Sequence, residues 1–582
     1  MVVTKINNLS QTINKVKLFF MGTLKVSLKL FLFLLLCQQS VFAQDKNPGK
    51  ISGSLESNAN FFFKDAAIGA NNTPQYEHQL FGADTWLNVS YLKNDFEASV
   101  RFDFFQNSIL PDPKNSFTDE GIGRWYVRKK VNKLDISVGH IYDQIGSGII
   151  FRAYEERPLF IDNALLGARV SYDLAPDWKI KAFTGRQKNV FDTYKSNIRG
   201  LNLEGYVSGG EDANWSIAPG FGAVARTQSG TSIDQLVAEI STYTPQDTVS
   251  INYNTYAFTL YNTLSVGAFS WYVEGAYKSP EVFYDEYAIK HNPVGGDSKG
   301  KFVRAPGTVL YTSLSYAGHG VGISVEGKRT ENFKFRTNPF VLLNRGAINF
   351  LPPMTRINSF RLNSRYQAAT QELGEQAFQV DISYRPSKKL LFDLNFSNIT
   401  DLNNQLLYRE IHLTGTLKKK RKWHLLGGLQ LQTYNQEIYE VKPGYPLVEA
   451  VIPFAEFLYK INRKKAIRFE AQYMSVGQDV KANAKQDYGD WAFGLVEYTI
   501  APHWTFSASD MYNITPGKNS PTDASGNKKS VHYPRFDIYY SHKANRYSIS
   551  YVKQVEGIVC SGGICRLEPA FSGIKLTVNS SF

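Results

Sequence analysis

Phe571-Ser572-Gly573-Ile574-Lys575-Leu576-Thr577-Val578-Asn579-Ser580-Ser581-Phe582 ends the chain and decides its fold. Phe582, Ser580, Val578, Leu576 and Ile574 fall on one face of an extended strand, and Ser581, Asn579, Thr577, Lys575 and Gly573 on the other. One face suits lipid and the other water, the pattern of a membrane-spanning barrel strand. The same alternation recurs upstream. In 51–63, Ile51, Gly53, Leu55, Ala59, Phe61 and Phe63 oppose Ser52, Ser54, Glu56, Asn58 and Asn60. Phe96, Ala98, Val100, Phe102 and Phe104 alternate with Glu97, Ser99, Arg101 and Asp103. Phe378 to Arg385 and Leu390 to Ser397 repeat it, with Asp381, Arg385 and Asp393 on the polar side.

The links between strands alternate in length too. Short ones fall at 93–95, 131–133, 175–177, 317–320, 386–389, 418–422, 461–465, 500–503 and 542–545. Long polar ones fall at 64–83, 106–121, 143–163, 279–305, 330–375, 435–448, 477–490 and 513–532, and the stretch 199–262 is ambiguous. Short turns at one end and long loops at the other predict an all-β, antiparallel, up-and-down transmembrane β-barrel of about 24 strands (range 18–26). Strands begin near residue 51, which leaves no room for a plug domain ahead of the barrel.

Composition fits that architecture. Only 43% of residues are hydrophobic, yet Tyr (34) and Phe (39) are abundant, as expected when half of each strand meets water and aromatic girdles mark the membrane edges. No stretch after residue 43 is long and apolar enough for a transmembrane helix. Residues 1–43 read as a secretory signal: Lys25 and Lys29, an apolar core from Leu30 to Leu36, and cleavage after Val41-Phe42-Ala43. The natural start is then Met21. Removing 1–43, which holds five lysines and no acid, lowers the formal charge from +13 to +8. The remaining excess sits largely in short turns such as Lys418 to Lys422, with no stacking-aromatic motif beside it, which favours anionic lipid headgroups over nucleic acid.

Two loops carry candidate function. Gly139 to Asn163 packs Asp143, Arg152, Tyr154, Glu155, Glu156, Arg157 and Asp162 among apolar residues. Pairable charges beside apolar groups predict a loop folded into the barrel mouth and pinned by arginine–carboxylate pairs, or a ligand site built from the same groups. Glycosidase-like chemistry by Glu155 and Glu156 is disfavoured, because adjacent residues point apart. The 330–375 loop, with apolar runs at 339–343 and 348–354, either fills the lumen or docks a surface lipoprotein or secreted partner. The nine histidines are scattered, and no metal, cofactor or catalytic constellation emerges, so the reading is not that of an enzyme. Cys560 and Cys565, the cysteines that remain after signal cleavage, flank Ser561-Gly562-Gly563-Ile564 and are expected to form a disulfide. Free thiols or half a metal site are the alternatives.

Several of these residues also resemble a known family. The terminal Phe582 on its strand looks like the assembly signal of bacterial outer-membrane proteins. Gly123-Arg124-Trp125-Tyr126, the YEER-type loop at Tyr154 to Arg157, Gly185-Arg186-Gln187-Lys188, Ile198-Arg199-Gly200, Ile348 to Pro353 and Gly563-Ile564-Cys565-Arg566 together resemble a porin-like outer-membrane family of Bacteroidota with no assigned function. The resemblance implies an outer-membrane location and a barrel, and carries over no substrate or catalytic residue. Two functions follow as expectations: a porin-like passive channel or transporter, or a barrel anchoring loops for a partner.

Overall fold

The computed structural model describes residues 49–582 apart from 211–212, 342–344, 420, 443, 446 and 562; for 559–561 it describes the backbone only. The expected signal segment, with Met21 and Ala43, lies outside the described residues, as does Lys420 of the basic turn. Ile51–Tyr91 and Asp95–Phe582 form one compact unit, and it contains the barrel.

That unit is a closed antiparallel ring of 24 long strands, each bonded to the next in sequence, with one two-residue strand, Val207–Ser208, appended. The ring shuts where Lys50–Phe62 pairs with Phe571–Ser581 in the register Ser54↔Ser581 through Phe62↔Gly573. The other neighbour of the closing strand is Asn545–Gln554, which sets Leu576 opposite Ile549 and Thr577 opposite Ser548. Leu576 therefore sits between Ala59 and Ile549, and Lys575 between Asn60 and Ser550.

Burial is inverted relative to a water-soluble protein. Leu260 (67%) and Leu310 (56%) are exposed, whereas Glu274, Lys278 and Glu410 are each 0% exposed. An outer surface of exposed Leu, Phe and Val around a polar interior is stable only if lipid covers it. Trp215, Phe269 and Trp504, each the first residue of its strand, are exposed at the end carrying the short links, as an interfacial aromatic girdle requires. That end is called the turn end below, and the opposite one the loop end.

Most of the expected links hold, and two regions differ. The long link expected at 279–305 is a ribbon: Phe269–Lys290 and Ser298–Gly318 run 22 and 21 residues and leave only 291–297 between them. Most other barrel strands have 11–15 residues, so this hairpin extends past its neighbours by about 30 Å at ~3.3 Å per residue. The link expected at 106–121 is shorter than read, because Phe96–Ser108 and Phe117–Val131 extend into it. The ambiguous stretch resolves into the strands Asp192–Gly205, Trp215–Thr227 and Asn254–Val266, with a helix, Gly230–Ile240, in a loop-end link. Ser229 caps that helix by accepting from the Ser232 amide.

Two loop-end segments turn inward. One lies between Ile141 and Leu165, the other between Glu331 and Gly374. Ile145, Ile149, Ile150 and Phe151 of the first share a core with Phe333, Phe335, Ile348 and Leu351 of the second and with Phe183, Val224 and Val309 of the wall. Farther along the second, Met354, Leu362 and Tyr366 enter a cluster that includes Phe62, Tyr434, Trp491 and Phe571. The loop half of the lumen is thus lined by protein on protein.

Candidate functional site

The first inserted segment is organised by one wall residue. Arg101 alternates with Phe102 on the strand Phe96–Ser108, so its side chain points inward and is only 2% exposed. Its guanidinium meets three carboxylates: Nε and Nη2 donate to Asp103 at 2.6 and 2.8 Å, Nη1 to Glu155 at 2.6 Å, and Nη2 to Asp162 at 2.9 Å. Asp103 has space because Gly123 lies opposite it; a Cβ there would stand 1.8 Å from the Asp103 carboxylate. Lys188 also donates to Asp162, and the Tyr142 hydroxyl does so at 2.6 Å. Burial works against ionisation of Asp162, but Lys188 and Arg101 hold its carboxyl below the usual value.

The other sequence-predicted residues extend this knot. Arg157 donates to Glu155 at 2.9 Å and to Glu56 at 2.5 Å, and lies 5.1 Å from the Trp86 ring centroid. Arg152 stacks over Tyr154 and Phe350, at 4.6 and 4.1 Å to the ring centroids. Asp143 receives Lys181 at 2.5 Å and Arg169 at 3.4 Å. Glu156 stays apart: in the two-residue ribbon Glu155 pairs with Asp162 and Glu156 with Ile161, and no ion pair of Glu156 occurs among the described residues. Glu155 and Glu156 therefore do not converge on a common point, as acid–base chemistry would require.

Sequence reasoning missed Glu274. It is a fully buried carboxylate on Phe269–Lys290, held by neutral donors: the Ser147 amide at 2.9 Å and hydroxyl at 2.5 Å, the Thr259 hydroxyl at 2.8 Å and the Tyr272 hydroxyl at 2.6 Å. Ser147 reaches it because Gly146 turns the chain at φ +55°, and a Cβ on Gly146 would lie 2.6 Å from the carboxylate. The glycine-serine-glycine run at 146–148 is the one sequence signal of this contact.

Below that contact is a cavity of about 1070 Å³, open toward the turn end. Gln144, Gly146 and Ser147 roof it, and Tyr261, Tyr272, Tyr311, Glu204 and Lys179 are among its walls. Among the described residues no group of three or more His, Cys, Asp or Glu could hold a metal ion. Cys565 is disulfide-bonded, and the register of the hairpin Gly557–Ser561 and Ile564–Glu568 sets Cys560 opposite it, although the Cys560 side chain lies outside the described residues.

The short motifs scattered along the sequence converge here. Gly123 underlies Asp103, Gln187 donates to the Ala347 carbonyl at 2.6 Å, Lys188 binds Asp162, and Arg566 donates to the Pro158 carbonyl at 3.1 Å. A family of unknown function (DUF6029) matches residues 24–582. The chain belongs to this family. No curated protein matches the DUF6029 chain in sequence. Among solved structures it is similar to the translocation pore of the P pilus usher PapC, at 9% identity and a TM-score of 0.40 over 91% of this chain and 99% of that one. It is also similar to the ferric-catecholate import receptor Fiu of E. coli K12, at 10% identity and 0.38 over 93% and 82%. The siderophore receptor PirA of Pseudomonas aeruginosa gives 8% and 0.37 over 92% and 81%.

Proposed function

We propose that this DUF6029 chain is an outer-membrane barrel, exported by its 1–43 signal, that passes a solute through a lumen gated by its own two inserted segments. The loop end faces outside and the turn end the periplasm. The observation that carries this reading is the vestibule of about 1070 Å³, open at the turn end and roofed by a segment held through hydrogen bonds, ion pairs and apolar packing. Such a roof opens at the cost of non-covalent contacts alone: luminal water replaces the polar ones, and the apolar ones with Ile145, Ile149, Ile150 and Phe151 set the barrier. Nothing in the site points to an enzyme or a resident cofactor.

Conductance of the refolded barrel in planar bilayers tests this. Intact protein is expected to be mostly closed, and protein lacking residues 143–163 to conduct steadily. Equal, negligible conductance from both would overturn the reading. It would favour the second one, a platform for a surface lipoprotein or secreted partner. That reading rests on the extended hairpin, where Tyr284 and Phe302 pack with Leu236 and Ile240 of the loop-end helix and Val294 at the tip is 87% exposed.

A further inference from the structure

Most charges inside the barrel are matched. Arg468 lies 3.1 Å from each of Glu456, Glu470 and Glu497, and Arg535 donates through Nε to both Asp537 oxygens at 2.9 and 3.0 Å. Arg365 is 3.6 Å from Asp487 and stacks on Trp491. Two luminal cations that act on each other have no ion-paired acid partner among the described residues. Lys575, on the inner face of the closing strand, sits 4.4 Å from the Phe571 ring centroid, and Arg361 of the second inserted segment is exposed. Neither side chain has an ion pair or hydrogen bond among the described residues.

Their electrostatic neighbours make matters worse. Arg361 feels Arg365 and Arg535, and Lys575 feels Arg535, Arg361 and Arg566; the acid both share is Glu568, itself 4.0 Å from Arg566. Confinement by the surrounding wall, then repulsion from Arg365 and Arg535, pushes Arg361 down to about 10. Close to half-way round the ring the imbalance reverses. Glu326, Asp381 and Asp393 are bonded there only by neutral groups: Tyr311 at 3.0 Å, Asn395 and Gln379 at 2.8 and 3.1 Å, and Thr414 at 3.4 Å. The acids that could have neutralised Arg361 and Lys575 stand across the lumen, and water between them screens the attraction.

We propose that Arg361 and Lys575 form a binding site, beneath the second inserted segment, for an oxyanion group (carboxylate or phosphate) on the solute that the lumen passes. A guanidinium supplies two parallel donors to such a group and an ammonium a third, and the anion removes the repulsion that the two cations now bear. The site deepens the passage reading by giving the solute a charge. It also assigns a function to the exposed side chain of Arg361, which lies beside Phe360 and Leu362, two residues that pack against the wall.

Calorimetric titration of the full-length refolded barrel, in neutral detergent at low salt, tests it with two probes, inorganic phosphate and succinate. Saturable binding of at least one is expected, phosphate alone assigning a phosphorylated solute and succinate a carboxylate. R361Q and K575Q should each weaken it several-fold and the double variant at least tenfold, while R463Q, at an exposed turn, leaves it unchanged. If R361Q/K575Q fails to fold, the charge-keeping R361K and K575R must retain binding. Absence of saturable binding in the unmodified protein, or equal binding by a folded double variant, overturns the proposal. The titration does not depend on conduction. A barrel that binds without conducting overturns the passage reading alone, and one that conducts without binding overturns only the site.

Discussion

The segment after Ile141 and the segment after Glu331 occupy the same lumen, yet the wall's cations grip the first mainly at its side chains and the second mainly at its backbone. In the first, Arg101 and Lys188 grip the carboxylates of Glu155 and Asp162. In the second, wall cations donate to main-chain oxygens: Lys278 to Lys334 at 2.7 Å, Arg226 to Arg336 at 2.6 Å, and Lys328 to Pro352. Each of these cations also has a buried carboxylate, Glu281 for Lys278 and Arg226 and Glu375 for Lys328. The second segment has little regular structure, so its carbonyls lack ladder partners, and irregular backbone survives inside a barrel only where something else satisfies it. The first segment is therefore specified by its own residues and the second largely by the wall around it.

Removing one cation from each anchor set should separate the two. Arg101→Met leaves Asp103, Glu155 and Asp162 short of a partner and should cost about 3–5 kcal/mol. Protease should then cut within 142–164 while 332–373 stays protected, and Lys328→Met should give the mirror image. Unfolding titrations in micelles and mapped cleavage sites provide the readings. If either variant opens both segments, they form one cooperative unit and the contrast fails.

A smaller effect is expected at Glu274, which holds the first segment from below. Glu274→Gln replaces hydrogen bonds to a charged acceptor with weaker ones, and the loss should be about 1.5–3 kcal/mol. Protection of 142–164 should fall with no change at 332–373.

The cysteine hairpin touches both segments, since Arg566 donates to the Pro158 carbonyl and the Thr370 amide to the Gly563 carbonyl at 2.9 Å. Replacing Cys560 and Cys565 by serine should therefore loosen both, by about 2 kcal/mol for so short a ring. Intact mass with and without reductant checks the bond first, and two alkylatable thiols in freshly extracted protein would remove the basis of this expectation.

The smallest response should be to mild acid. Asp162 is held below its ordinary value, so its contribution is complete above the unfolded-state value of about 4 and declines only as pH falls through the lower folded value. Asp487, which the second segment contacts through Arg365 and Tyr366, is shifted the same way: burial opposes ionisation, and Arg365 together with hydrogen bonds from Asn519, Tyr366 and Gln436 outweighs it. Neither segment should lose protection between pH 7 and 5. Release of the first in that window would mean that Arg101 and Lys188 do not hold Asp162.

The wall was legible in the sequence because lipid and water impose opposite demands on successive residues, as Leu576 and Lys575 illustrate. The 269–318 hairpin was not, since its extension beyond the ring is buried only around Val282, Phe283 and Phe302 and is exposed or half-buried elsewhere, so no continuous alternation is enforced there. Trp215–Thr227 was obscured by Ala218, Pro219, Gly220 and Gly222, which carry little side-chain pattern. At the site, Asp143, Arg152, Tyr154, Glu155, Arg157 and Asp162 stand close together in sequence and read as a cluster. Their partners do not: Arg101 is 54 residues from Glu155, and Glu56 is 101 from Arg157. The anchors of the second segment were less visible still, because a carbonyl bonded by Lys278 or Lys328 leaves no mark on the residue that bears it.

The seam between Lys50–Phe62 and Phe571–Ser581 joins nearly the first described residue to the last, with Ser54 opposite Ser581. The ring thus cannot shut until both of these strands are available to pair, and the entropy of bringing such distant stretches together must be overcome before the final ladder offers any return. Closure accordingly depends on the pairing most distant in sequence, at the strand that carries Lys575.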